Sequence, residues 1–133
     1  MEKWFEHQKV TVYGRPKNIW HKNYDFQKLT TIIKCGIDFV LCHYRLVEFE
    51  TTIYMIDWVF LSEENKIYIS IFDNYSDSEE SLMKNVGVMM VHELSHAIFY
   101  EKHKDSNWHD RRCEDETQAI KLQTDFIANN WLQ

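Results

Sequence analysis

The sequence predicts an α+β domain, and three observations carry that expectation. The first half mixes one helical pattern with short β-like runs, the second half holds two long helical patterns in succession, and no repeat or linker separates the halves. With three Gly and one Pro in 133 residues, nothing breaks the chain into parts, so residues 1–133 are expected to form a single domain. An apolar content of 44%, with 15% aromatic residues, is enough to fill a core.

Taken in order, "KVTVYG" predicts a first strand, closed by the turn Gly14-Arg15-Pro16. Ile19, Phe26, Leu29, Ile32 and Ile33 then recur at helical spacing. Asp25 is suited to cap the regular part, and Gly36 stands where a helix end favours a left-handed residue. "IDFVLCHY" reads as a strand, and "TTIYMIDWVF" and "KIYISIF", flanking the polar "SEEN", read as a β-hairpin. The expected sheet is small, of three or four strands, antiparallel or mixed. From about Asp77, "SDSEE" supplies a cap and first-turn acids for a helix running to about Lys102. After the loop "KDSN", the stretch "WHDRRCEDETQAIKLQTDFIANNWL" gives a second helix, paired with the first through a short connection.

Charge and cysteine content narrow the function. A net charge of −6 opposes docking on nucleic acid or anionic lipid, and no basic patch compensates. Cys35, Cys42 and Cys113 are odd in number and unpatterned, which suits reduced thiols. The start "MEKWFEHQKV" has no apolar core of a signal peptide, and the longest apolar runs are too short to span a bilayer. The expectation is a soluble protein of the cytoplasm.

Within the apolar stretch "NVGVMMVHELSHAIFYEKH", a histidine, a glutamate and a second histidine arrive in five positions. On a helix, i and i+4 share one face, so His92 and His96 present both imidazoles to one point and can grip one metal ion. Glu93 sits about 100° around the helix from His92, placed to reach a water on that ion rather than to bind the ion itself. This is the H-E-x-x-H arrangement, in which zinc acidifies a water and the glutamate takes its proton as a polarised carbonyl is attacked. The bland alternative is a helix with three polar surface residues; Val88, Met89, Val91, Ile98 and Phe99 around the motif argue that part of it is buried and needs partners.

A catalytic zinc site takes three protein ligands and leaves one position open. On a wheel of the last helix, Cys113, Ala119, Ile120, Phe126, Ile127 and Trp131 scatter around the direction of Glu116, whereas Glu114 points away. Glu116 is thus expected in the middle of the apolar face, where a carboxylate wants a metal or another partner, while Glu114 and Asp115 read as solvated acids. His103, seven residues past His96, lies about 10 Å along the axis and out of reach. His109 in "NWHDRR" stays open as a third ligand, a hydrogen-bond donor or a surface residue. His7, His21 and His43 have no spacing that argues for a role.

These residues resemble a family. "VHELSHAIFYEKH" followed by "EDETQA" is similar to the zincin metallopeptidases, and Glu116-Thr117-Gln118-Ala119 resembles the E-x-x-A signature of their glutamate-liganded branch, the gluzincins. The strand, helix and helix order is most similar to ImmA/IrrE-type metallopeptidases, over about residues 66 to 131. The resemblance implies a zincin-like fold with zinc on His92, His96 and Glu116, and Glu93 as general base. It also implies an intracellular protein or peptide substrate, aligned along the edge strand at Lys66 to Phe72. The chain departs from the family in Ser95, where many members have Gly, and in Ile120, where an Asp or Asn buttresses a zinc histidine. SprT-like zincins, which use a third histidine, remain an alternative through His109. A non-catalytic binding module that keeps the fold is the alternative of a different class; the presence of Glu93 favours the enzyme.

Overall fold

The structure, a computed structural model, describes residues 2–14, 25–56, 66–70, 78–106 and 108–130. Two strands, β1 (Glu2–His7) and β2 (Val10–Gly14), lead into helix α1 (Phe26–His43). Strands β3 (Thr51–Ile56) and β4 (Lys66–Ser70) follow, then helix α2 (Glu79–His103), a 3-10 turn (Trp108–Arg111) and helix α3 (Arg112–Asn130). The four strands form one mixed sheet in the order β1-β2-β3-β4, with β1 and β2 antiparallel and the other two pairings parallel. The α+β class expected from the sequence is therefore observed.

Strand β1 escapes the sequence reading because its turn hides from residue type. Gln8 and Lys9 both adopt positive φ, 50° and 66°, the pair of left-handed residues a two-residue hairpin needs, without the usual Asn-Gly. The chain holds this conformation by using the turn carbonyls elsewhere: Gln8 C=O accepts from Phe49 N–H at 3.1 Å and Lys9 C=O from Thr51 N–H at 3.4 Å. At the far end of the hairpin, Gly14 lies against the Trp4 indole so closely that any Cβ there would run into the ring. Trp4 in turn meets Phe26 edge-on at 5.0 Å and ties the hairpin to α1.

Helix α1 overturns two expectations. Asp25 does cap it, accepting from Gln27 N–H at 2.9 Å and Lys28 N–H at 3.3 Å. The helix does not stop at Gly36, however, and "IDFVLCHY" is helical up to His43. Its buried residues Leu29, Ile33, Gly36, Ile37, Val40 and Leu41 follow one helical stripe straight through the expected strand. Gly36 is there for close packing, since a Cβ would strike the Met90 methyl and come within 3.2 Å of Val91 Cγ2 on α2. The true end is a left-handed turn on Arg45 (φ 58°), where Leu46 N–H reaches Leu41 C=O at 2.9 Å and Arg45 N–H reaches Cys42 C=O at 3.1 Å.

The β3–β4 pair corrects a third expectation. Thr52 stands opposite Lys66 and Ile56 opposite Ser70, so the strands run parallel and do not form a hairpin. The alternation that suggests pairing is satisfied either way: Ile53, Met55, Ile67 and Ile69 are all buried, and alternation says nothing about direction. "SEEN" and the rest of 57–65 lie outside the described residues, as do the Gly14-Arg15-Pro16 turn beyond Gly14, Ile19 and the end of the expected edge strand, Ile71 and Phe72.

Helix α2 starts where its sequence says it should, with Ser78 accepting from Ser81 N–H at 3.1 Å and Glu79 and Glu80 in the first turn. It is the central rod of the molecule: α1, α3 and β4 all pack on it. Met90, Val91, Leu94 and Ile98 are sealed from solvent in one core with the strand residues Val10, Val12, Ile53 and Ile69. Each such side chain contributes about 1.5–3 kcal/mol by leaving water. Helix α3 lies along α2 through Ala119, Leu122 and Phe126; the Phe126 ring fits over Gly87, where a Cβ would come within 2.9 Å of it. None of the described helices is long and apolar enough to cross a membrane.

Candidate metal centre

The rod α2 carries the H-E-x-x-H residues at its middle, and α3 brings its first turns alongside them. His92 and His96 sit one turn apart with ring centroids 4.5 Å from each other and planes at 79°, so the two Nε2 atoms approach to 2.9 Å. Glu116 completes the group from α3: its Oε2 lies 3.1 Å from His96 Nε2 and its Oε1 3.4 Å from His92 Nε2. The three ligand atoms fall within 4.8 Å of one another, the spacing of a group that can hold a metal ion. All three residues singled out from the sequence are thus brought together.

The environment expected for Glu116 is corrected all the same. Glu116 is not in the apolar face; its side chain is 53% exposed, while the neighbouring Asp115, which reads as a solvated acid in the sequence, is 7% exposed. Counting Cys113 and Ile120, both exposed, and leaving out Leu122 tilts the wheel away from its true direction. The real stripe is Asp115, Ala119, Leu122 and Phe126. Relative to that stripe, Glu116 and Gln123 project on one flank, about 100° and 80° away. They look across to the histidines from the rim.

Asp115 and Gln123 are the residues of the candidate site that the sequence reading misses. Asp115 Oδ1 lies 2.8 Å from His96 Nδ1, and Gln123 Oε1 lies 2.7 Å from His92 Nδ1. They contact the imidazoles at Nδ1, whereas Ile120, at the position where the resemblance expects such a partner, is 48% exposed. A signal for Asp115 is present in the sequence: residues 115, 119, 122 and 126 follow the i, i+4, i+7, i+11 spacing of a buried helical stripe, with the aspartate as its first member. Nothing comparable marks Gln123.

Ser95, inside the motif, is fully buried and shares a hydrogen bond of 2.9 Å with the Tyr44 hydroxyl from the end of α1. A glycine there would leave Tyr44 without that partner. Burial pushes the Tyr44 phenol above its ordinary value, against the opposing effect of the Ser95 bond; the charges of Asp115 and Glu114 add to the rise. His43, the neighbouring residue, bonds Gln118 Oε1 at 2.9 Å and ties α1 to α3.

The remaining histidines stay out of the group. His109 is exposed on the 3-10 turn with its ring 5.1 Å from Trp108, and His103 ends α2 against Phe99 at 4.4 Å. His7 pairs with Asp38 at 2.7 Å. His21 lies outside the described residues. Glu93 is half-buried on α2 next to His92 and makes no hydrogen bond or ion pair among the described residues.

The donor set fits a divalent transition metal. When each imidazole carries its proton on Nδ1, donating to the Gln123 or Asp115 oxygen 2.7 or 2.8 Å away, both Nε2 atoms turn bare lone pairs inward, toward each other and toward the Glu116 carboxylate. Such a convergence of acceptors repels itself unless a cation or a proton sits among them. Tetrahedral zinc, with bonds of about 2.0–2.1 Å to nitrogen, spaces its donors about 3.3 Å apart. The observed separations of 2.9, 3.1 and 3.4 Å bracket that value.

No protein-family model, curated protein or solved structure matches the chain.

Proposed function

We propose that the protein is a zinc-dependent endopeptidase of the zincin kind. In this reading it belongs with the glutamate-liganded gluzincins, is most similar in plan to ImmA/IrrE-type enzymes, and cuts an intracellular protein substrate in the cytoplasm. The observation that carries the reading is the inward convergence of His92 Nε2, His96 Nε2 and the Glu116 carboxylate, with both Nδ1 atoms held from behind. Three exposed, unpaired cysteines suit a reducing compartment.

His92, His96 and Glu116 would hold the ion, a set of three protein ligands that suits a catalytic rather than a structural site. When bound, the ion supplies Lewis acidity to a substrate carbonyl and to an attacking water. Glu93, beside His92 and without a hydrogen bond or ion pair among the described residues, takes the water's proton on its carboxylate and passes it to the departing amide nitrogen. Asp115 and Gln123 keep the imidazoles turned the right way while the substrate comes and goes. Strand β4 ends the sheet, paired on one side only among the described residues, with Ile67 and Ile69 anchored in the core. Its outer edge supports main-chain pairing with an extended peptide.

The test separates binding from chemistry. Glu93→Gln is expected to keep about one zinc per chain and the wild-type melting curve while losing most turnover on a library of unstructured peptides. Cleavage by the variant at the wild-type rate would remove Glu93 from the mechanism. If neither form cuts any peptide, yet both bind zinc and one common protein partner, the non-catalytic module replaces the enzyme.

A further inference from the structure

We infer that Gln123 is a positioning residue that lets His92 exchange between its two neutral tautomers, so that both imidazoles stay paired without metal and with it. The inference rests on the metal-site reading and concerns how the same side chains stay paired when no ion is bound.

The two histidines have unlike supports. His96 Nδ1 faces the carboxylate of Asp115, which is nearly buried; a carboxylate only accepts, so it fixes the proton of His96 on Nδ1. His92 Nδ1 faces a side-chain amide, which accepts through its oxygen or, after a half-turn about its last bond, donates through its nitrogen. The half-turn needs no space, because the amide's two ends are nearly equal in size.

In the metal-binding arrangement both imidazoles carry Nδ1–H, and two bare Nε2 atoms face each other at 2.9 Å beside a carboxylate. Without a cation that contact is repulsive. Turning the Gln123 amide allows the His92 proton to leave Nδ1 and a proton to arrive on Nε2, exchanged through solvent with no net gain or loss. His92 Nε2–H then donates to His96 Nε2 across the same 2.9 Å, and Gln123 N–H donates to the vacated His92 Nδ1. Every ring nitrogen of the two histidines then has a hydrogen-bond partner, and the Glu116 carboxylate, 3.1 Å from His96 Nε2 but 53% exposed, turns to solvent. A carboxylate at position 123 would forbid this, because it offers no donor. Zinc reverses the exchange by requiring the lone pair of His92 Nε2.

The experiment is nitrogen-15 NMR of the imidazoles in chelator-treated protein and after one equivalent of zinc, with zinc affinity measured by competition against a chromophoric chelator. In the metal-free wild type the proton is expected on Nε2 of His92 and on Nδ1 of His96, and with zinc on Nδ1 of both. Gln123→Glu should hold His92 as Nδ1–H in both states, tighten zinc about tenfold and lower the melting temperature of the metal-free form alone. Gln123→Met, which keeps the length and removes both donor and acceptor, should weaken zinc by a similar factor. A proton on His92 Nδ1 in the metal-free wild type overturns the inference. So does a Gln123→Glu protein with unchanged tautomer and affinity. If the wild type takes up no zinc, the metal reading fails by itself, and the metal-free spectra still decide the role of Gln123.

Discussion

At the scale of single residues, the centre draws on two of three neighbours on α3 that the sequence presents as one acidic run, Glu114-Asp115-Glu116. Their environments differ: Glu114 pairs with Arg111 at 3.5 Å on the surface, Asp115 is buried behind His96, and Glu116 reaches both Nε2 atoms from the rim. Removing each should therefore do a different thing. Glu114→Ala is expected to leave zinc affinity unchanged, since an exposed pair contributes little. Glu116→Ala should abolish tight binding by removing a ligand, and Asp115→Asn should weaken it about 10–100-fold by loosening one. Zinc titrations of the three variants check this ranking, and equal losses at Glu114 and Glu116 would dismantle the ligand assignment. The histidine pair is legible in the sequence because i, i+4 spacing is a property of the helix alone. Of the supports, Asp115 shows only as the first member of a buried stripe and Gln123 not at all, because which flank of α3 faces α2 depends on how two helices dock.

At the scale of elements, legibility follows the chemistry of the ends. Caps made by the usual residues, Asp25 and Ser78, can be read from the sequence, whereas ends built on Gln8, Lys9 and Arg45 at positive φ cannot. Those three conformations are held by bonds to distant backbone and by helix-end geometry rather than by residue preference. One acid also ties the starts of two helices together. The Glu79 carboxylate at the start of α2 accepts from Asp25 N–H at 2.9 Å and from Lys28 Nζ at 3.0 Å at the start of α1. The backbone N–H of Asp25, with help from Lys28, holds the Glu79 carboxyl below its ordinary value. A depressed carboxylate stabilises the fold above its unfolded pKa, and that contribution is lost as the pH falls through the lower, folded value. Glu79→Gln is therefore expected to melt slightly lower than the wild type at pH 7 and level with it once the pH has dropped below the carboxylate range. Parallel melting curves at all pH values would mean that the charge contributes nothing there.

At the scale of the whole molecule, the class of fold is readable from the order of periodicities, but the sheet's directions are not. Ile53, Met55, Ile67 and Ile69 record only which face is buried; whether β4 runs with β3 or against it depends on where the intervening chain goes. The same layout divides the protein into parts of different reach along the chain. The hydrogen bonds of His92 and His96 span 31 residues or fewer, within the hairpin of α2 and α3. Strand β2 must find β3 across about forty residues, Val10 to Thr51, with α1 in between. Short loops close sooner than long ones, so the helical pair should assemble before the sheet, and an ion present at that moment would meet its ligands on a chain still lacking a finished core. In pulse-labelled refolding, amides of α2 and α3 should gain protection ahead of those of β2 and β3, with zinc widening the lead. Simultaneous protection, indifferent to zinc, would show that the chain commits all at once. If the helices do lead and the proposed centre takes up zinc, metal arrives as a participant in folding, and a cell short of zinc would be left with slowly maturing chains.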